Sequence, residues 1–206
     1  YKKSRVEFQD LFYQKLRSYG APSEDGIIRP GGIEVGCGTR PVATLKSFTQ
    51  GDIVQTGGEL DVAIQGDGFF ELIDRDGKMV YTRDGSFKMS PDGRIVNADG
   101  LALEPDLYIP RDTSGLTISR DGMVYATLAD TNEPVEIGQI QLVKFVNPGG
   151  LESLGRNLYA QTVSSGEPMF GNPAEEGFGA TEHTYLENSN VDVVKEMVNM
   201  ITAQRA

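Results

Sequence analysis

Cysteine, histidine and tryptophan are almost missing from this 206-residue chain, which has one Cys, one His and no Trp. A lone thiol, Cys37, cannot close an intramolecular disulfide, and with His183 as the single imidazole no zinc ligand set can be assembled. Packing must therefore hold the fold. No stretch approaches the roughly 18 apolar residues of a membrane span, so insertion by a helix is not expected, and no signal peptide is recognisable. No basic cluster is large enough to neutralise phosphates and the formal net charge is −11, which argues against nucleic acid. The acidity reads as a solvated surface. There is no G-x-S-x-G elbow, so His183 has no nucleophile to serve and reads as a polar strand residue.

What is plentiful is glycine, 25 residues, in a chain with 38% hydrophobic and 24% charged residues. That balance fits a turn-rich β protein with a core, in one large or two small domains. The centre of the pattern is Asp61 to Gly100. Short apolar runs such as Val62-Ala63-Ile64, Phe69-Phe70-Glu71-Leu72-Ile73 and Met79-Val80-Tyr81-Thr82 are punctuated by Asp-Gly pairs beginning at 76, 84, 92 and 99. Asp-Gly supplies the left-handed backbone of a tight hairpin, so the spacing predicts an antiparallel meander, ending before Pro105 and Pro110.

Ahead of it, Phe8, Leu11, Phe12 and Leu16 recur at helical spacing and predict a short amphipathic helix within residues 1–19. Residues 20–38 hold Gly20, Gly26, Gly31, Gly32, Gly36 and Gly38 with Pro22 and Pro30, which forbids a regular helix. Ile27, Ile28, Ile33 and Val35 are wasted on a solvated linker, so the segment reads as an extended loop reaching a neighbour. Pro41 to Gln55 alternates as a strand. After the meander, Leu116–Ser119 and Met123–Thr127 flank Asp121-Gly122 as a hairpin, and Val135 to Val146 is a longer strand with a bulge at Gly138. Gly149 to Tyr159 is too glycine-rich for regular structure, Ser164 to Gly179 reads as a surface loop, and Thr181 to Leu186 as a returning strand. The last twenty residues change period: Val191, Val194, Val198 and Ile201, widened by Met197 and Met200, mark one face of a helix with Ser189 as its cap. A helix this short needs a partner surface. The chain opens on Tyr1 rather than Met and ends inside this pattern, as a fragment would.

Motifs that suggest chemistry fail on spacing. Gly66-Asp67-Gly68 would need a third glycine at Glu71 and a helix where a strand continues. Asp74-Arg75-Asp76-Gly77 puts glycine fourth rather than sixth for a calcium loop, with Gly85 where a Glu should stand. A glycosidase needs only two carboxylates about 5 to 10 Å apart, but here the carboxylates sit mostly in Asp-Gly turns that backbone geometry already explains. No catalytic, cofactor or metal residue is nominated.

Taken together, Asp61-Val62-Ala63-Ile64-Gln65-Gly66-Asp67-Gly68-Phe69-Phe70, Tyr81-Thr82-Arg83-Asp84-Gly85-Ser86-Phe87, Gly155-Arg156-Asn157-Leu158-Tyr159 and Leu186-Glu187-Asn188-Ser189-Asn190-Val191-Asp192 resemble the bacterial flagellar rod and hook family. The stretch from Leu11 through Gly36-Cys37-Gly38-Thr39-Arg40-Pro41 looks like the extended insertion of its distal rod members, with Cys37 where Thr or Leu is common. The resemblance implies terminal helices that form the inner tube of an axial assembly. It also implies a rigid rod subunit that polymerises helically and transmits torque to the hook, exported by the flagellar secretion apparatus into the basal body. Its implied partners are copies of itself, neighbouring rod and hook subunits, and surrounding ring proteins. A hook or proximal rod subunit is the alternative within the family, and a carbohydrate-binding or hydrolytic β domain the alternative outside it.

The expected fold is mainly β: a meander or barrel-like outer domain over residues 61–180, and an extended base of residues 1–60 with 181–206, ending in the short helix. Tyr13, Ile27, Ile28, Ile33, Val35, Arg40, Val191, Val194, Met197, Val198 and Ile201 are the expected subunit-interface residues.

Overall fold

The Asp-Gly pairs at 76, 92, 99 and 121 build the same turn four times. The glycine N–H donates to the carbonyl of Asp74, Ser90, Asn97 or Ser119 at 2.8–3.1 Å, and the N–H of each of these residues donates to the carbonyl just past the glycine. The glycines sit at φ between 76 and 86°. This is the turn with a left-handed fourth residue that closes a hairpin on a bulge, and its first corner prefers Asp, Asn or Ser. Asp84-Gly85, expected to be a fifth, is not a turn. The Gly85 carbonyl accepts from Val62 N at 3.1 Å, and a Cβ there would lie 1.7 Å from the Val62 carbonyl oxygen. Glycine is required by the close approach of two backbones.

The computed structural model describes residues 1–17, 32–129 and 133–205. It is mainly β with a sheet curled into a half-barrel, and it divides into Ser4–Ser47 and a body of Tyr1–Lys3 with Phe48–Ala206. The body's largest sheet runs Glu152–Gly155, Leu158–Ala160, Met79–Thr82, Phe70–Ile73, Ala102–Glu104, Ile95–Val96, Lys88–Met89 in spatial order. Phe70–Ile73 is thus flanked by its own hairpin partner and by Ala102–Glu104, so the meander folds back on itself instead of running strictly in sequence. Thr113–Ile118, Met123–Leu128 and Pro134–Gln139 form a three-stranded sheet, with the expected bulge opposite Val124 and Tyr125 at Gly138. Val62–Gln65 pairs with Ala180–His183, Ile53–Gln55 with Tyr185–Glu187, and Leu142–Lys144 with Met169–Gly171.

Alternation places successive side chains on opposite sheet faces. Phe70, Leu72 and Val80 enter one cluster with Ile64, Leu103, Val124, Ile140 and Leu142. Phe69 and Tyr81 enter another with Val143, Phe145, Leu151 and Tyr159. In the second cluster the rings of Tyr81 and Phe145 meet edge to face at 4.8 Å, and those of Phe48 and Phe69 at 5.1 Å, the geometry aromatic quadrupoles favour.

Several expectations are corrected. Gly149 to Tyr159 holds two strands, Glu152–Gly155 and Leu158–Ala160, because Gly155, Arg156 and Asn157 all adopt positive φ and turn the chain tightly. Asp84 fixes this turn by accepting from Asn157 Nδ2 at 2.9 Å. The loop over 164–179 contains strand Met169–Gly171. The strand expected over Pro41–Gln55 is Thr39–Lys46 followed by a break and then Ile53–Gln55, and Val135–Val146 likewise divides into Pro134–Gln139 and Leu142–Lys144. The returning strand breaks at Thr184, whose φ is 68°.

The unit Ser4–Ser47 contains no helix among its described residues. Ser4–Asp10 pairs with Thr39–Lys46, and Tyr13–Arg17 with Ile33–Gly36. Leu11 N donates to the Gly38 carbonyl at 2.8 Å and Cys37 N to Phe12 O at 3.3 Å, which joins the two ladders into one ribbon. The stripe of Phe8, Leu11, Phe12 and Leu16 was compatible with a helix. However, Arg5-Val6-Glu7-Phe8-Gln9 also alternates with period two, and pairing with the β-branched strand Thr39–Lys46 decides the outcome. No described residue of the ribbon is buried.

Candidate assembly surface

Three charged side chains lie inside the body where the chain's beginning meets its end. Lys2, Arg83 and Glu187 have side chains 7%, 6% and 4% exposed. Glu187 accepts from Lys2 Nζ at 2.5 Å, Arg83 Nε at 2.9 Å and Gly51 N at 2.8 Å. The rest of the Arg83 fork donates to the carbonyls of Gly66 (2.9 Å), Gly68 (3.2 Å) and Ile64 (3.4 Å), and Lys2 Nζ donates to the Thr49 carbonyl at 2.9 Å. Buried ions are tolerable when they are paired and their donors used, and these are. Burial alone would raise the Glu187 pKa, but the bonds from Lys2 and Gly51 and the Arg83 charge outweigh it and hold the carboxyl below its usual range. Lys2 is pushed down by burial, which the hydrogen bond and charge of Glu187 only partly offset, and Arg83 adds a smaller repulsion. Two cations share one carboxylate.

From this cluster the chain runs directly to the helix. Asn188 N donates to Asp52 O at 2.8 Å. Asn190 accepts from Lys3 N at 2.8 Å and donates to the Thr49 carbonyl at 3.0 Å, and Lys3 Nζ pairs with Glu196 in the first turn of the helix. The helix spans Val193–Arg205. Its cap is Asp192, whose Oδ1 accepts from Val194 N at 2.9 Å and Lys195 N at 3.2 Å. The expected cap, Ser189, binds only Val191 N, one turn too early. Asp is as good a cap as Ser, and the carboxylate also favours the positive end of the helix dipole.

The helix buries none of its residues. Of the expected interface residues, Val194, Met197, Val198 and Ile201 are between 49% and 71% exposed along it, and Val191 is half-buried ahead of it. On the ribbon Tyr13, Ile33, Val35 and Arg40 are exposed, and the Tyr13 ring lies across Gly36 in the facing strand. Pairing brings Tyr13, Ile33 and Val35 onto one ladder, where Tyr13 faces Gly36 and Val35 faces Gln14, whereas Arg40 lies on the other ladder opposite Gln9. Ile27 and Ile28 lie outside the described residues. Sequence reasoning missed Lys2, Arg83, Glu187 and Asn190. Two of them carried a signal, because Arg83 follows the buried run Val80-Tyr81-Thr82 and Glu187 ends a strand, positions where an unpaired charge would be costly.

The cavity beside the triad is about 90 Å³, far below the roughly 300 Å³ at which small-molecule sites begin. Among the described residues no group of three or more His, Cys, Asp or Glu could hold a metal, and no helix is long and apolar enough to cross a membrane. His183 Nε2 lies 2.8 Å from the Glu59 carbonyl and serves the fold. Asp74–Gly77 is a hairpin turn.

Residues 63–126 match the model of the flagellar hook protein FlgE/F/G D1 domain, and residues 182–206 that of the flagellar basal body rod FlgEFG protein C-terminal region. The chain is 44% identical over its whole length to a flagellar basal-body rod protein FlgG of Buchnera aphidicola, covering 79% of it, and 42% identical to one of Borreliella burgdorferi, covering 78%. Similarity to the flagellar hook protein FlgE of Salmonella typhimurium, 41% identity, extends over 51% of the chain and 26% of that protein. With rod proteins matching from end to end and the family's two regions falling on the folded body and on the clamped helix, the chain belongs to the flagellar rod and hook family.

Proposed function

We propose that the chain is a structural subunit of the flagellar basal-body rod, located in the basal body, which polymerises with copies of itself and with neighbouring rod and hook subunits. The observation that carries this is the helix Val193–Arg205. It is anchored at its first turn to a well-packed body yet buries no residue, the condition of a segment whose partner is another subunit. The end-to-end similarity to basal-body rod proteins favours the rod over the hook. The finer reading assigns the distal rod, a helical lattice and transmission of torque. Residues 61–180 would form its outer domain and residues 1–60 with 181–206 its base, with Tyr13, Ile33, Val35, Arg40 and the helix stripe at contacts. Surrounding ring proteins would be further neighbours, and no catalysis is assigned.

The test lengthens the chain with helix-forming segments before Tyr1 and after Ala206, toward the length of relatives of which it covers 78–79%. The lengthened protein should assemble into tubes as its concentration rises, observed by sedimentation and electron microscopy, while the 206-residue chain stays mainly monomeric. A lengthened chain that remains monomeric at high concentration overturns the reading. Removing residues 18–36 should leave the body's circular dichroism and melting unchanged and soften the assembled rod. Loss of the body's fold in that deletion would make the segment core.

A further inference from the structure

We infer that Glu187 is a positioning residue for Tyr1–Lys3 and for the strand that leads into the helix, the buried carboxylate through which both are tied to Arg83 and so to the body. This deepens the rod reading and rests on it for its purpose, though not for its geometry.

The argument begins with the number of segments that meet on one side chain. Glu187 joins Lys2, Arg83 and Gly51, which lie 185, 104 and 136 residues away. Arg83 is rooted in the body by three carbonyls of the segment Ile64–Gly68. Through Glu187 that rigid anchor is passed to Lys2, and Lys2 places Lys3, whose backbone N–H meets Asn190 and whose ammonium meets Glu196 on the helix. Each link is directional. Arg83 gives one N–H to Glu187 and the rest of its planar fork to carbonyls, and a buried ion cannot drift toward water without losing partners. Apolar packing could hold the same segments with equal strength but with less definition of angle. An axial subunit needs definition, because an angular error where the helix leaves the body is multiplied along its length.

Direction and strength are separated by variants of the 206-residue chain followed by amide hydrogen exchange. In Glu187→Ala, exchange at Lys3 and Asn188 should accelerate about tenfold or more, while Leu72, Val80 and Val124 in the core strands stay within about threefold of their original rates. Glu187→Gln keeps an acceptor for Gly51 and should fall between. The triple replacement Lys2→Met, Arg83→Met, Glu187→Leu exchanges the ions for apolar groups of similar volume, which can recover stability. Because the carbonyls of Gly66, Gly68 and Thr49 lose their donors, it should recover part of the denaturation midpoint lost in Glu187→Ala, without restoring protection at Lys3 and Asn188.

Three results overturn the inference: unchanged protection at the ends in Glu187→Ala, equal loss of protection at the ends and in the core strands, or full recovery of both properties in the triple variant. All are read on the monomer. A failure to polymerise would count against the rod reading and leave this one standing, and unchanged exchange would do the reverse.

Discussion

Arg83 faces one carboxylate and three carbonyls, with 6% of its side chain exposed. Arg83→Ala would strand all of them, and removing one partner of a buried pair costs about 3 to 5 kcal/mol. The urea midpoint should fall accordingly with an unchanged denaturant slope, and a shift equivalent to a surface ion pair would contradict the burial. Gly85→Ala drives a Cβ into the Val62 carbonyl, where no flexible side chain can yield. It should cost about 2 to 3 kcal/mol, as overpacking does, whereas alanine at the turn glycines adds no such clash at Gly77 or Gly100. Tyr81 gives a pH signature. Burial first, and then the Glu71 carboxylate to which its hydroxyl donates, push its pKa up to about 12. An unfolded tyrosine ionises near pH ~10, so above that pH the unfolded chain sheds a proton the folded chain keeps. Stability complete below pH ~10 is therefore lost as the pH rises through about 12. Tyr81→Phe should flatten this alkaline limb in melting curves, leaving the smaller part due to Tyr159, whose pKa burial also raises. Glu187 acts at the other limb: its depressed pKa contributes stability above the ordinary carboxylate range that disappears as the pH falls through its lower folded value.

Turns and caps decide where the elements begin and end, and here the sequence was partly legible. The four Asp-Gly hairpins could be read because turn chemistry is local: first corner, glycine and both hydrogen bonds fall within five residues. Asp84-Gly85 has the same letters and a different cause, since the demand for glycine comes from Val62. The ribbon was misread because its apolar residues fit two periods and only the distant strand Thr39–Lys46 chooses between them. The Gly155-Arg156-Asn157 turn was invisible for a similar reason, as Asp84 is needed to hold Asn157. The helix was legible in its stripe but not in its cap, because Ser189 and Asp192 compete and the geometry favours Asp192. Its removal should be measurable: Asp192→Ala leaves Val194 N and Lys195 N without an acceptor and should cost the helix about 1 kcal/mol. The loss should appear at 222 nm, whereas Ser189→Ala should have little effect. The reverse ranking would place the helix start one turn earlier than described.

At the scale of the molecule two kinds of surface are unequally finished. The body has two packed clusters and an ionic triad, whereas the ribbon and helix bury nothing among their described residues. The triad escaped the sequence reading because its members lie 104 and 185 residues apart and each alone looks like surface charge. A two-stranded ribbon is marginal by itself, as is a 13-residue helix, so both must gain order from neighbours if they are ordered in an assembly. Against that gain stands a net charge of −11 on every copy, which at low ionic strength repels the next. If apolar contact drives assembly, screening should favour it. Raising salt from about 0.01 to 0.15 M shortens the Debye length from about 30 to 8 Å, and the lengthened chain should then polymerise at a lower critical concentration. Val194→Asp with Val198→Asp should abolish polymerisation at both salts while leaving the body's melting unchanged, since both side chains are more than half exposed in the monomer. A critical concentration that rises with salt would show instead that ion pairs between copies dominate, and a double variant that still polymerises would take the helix stripe out of the interface.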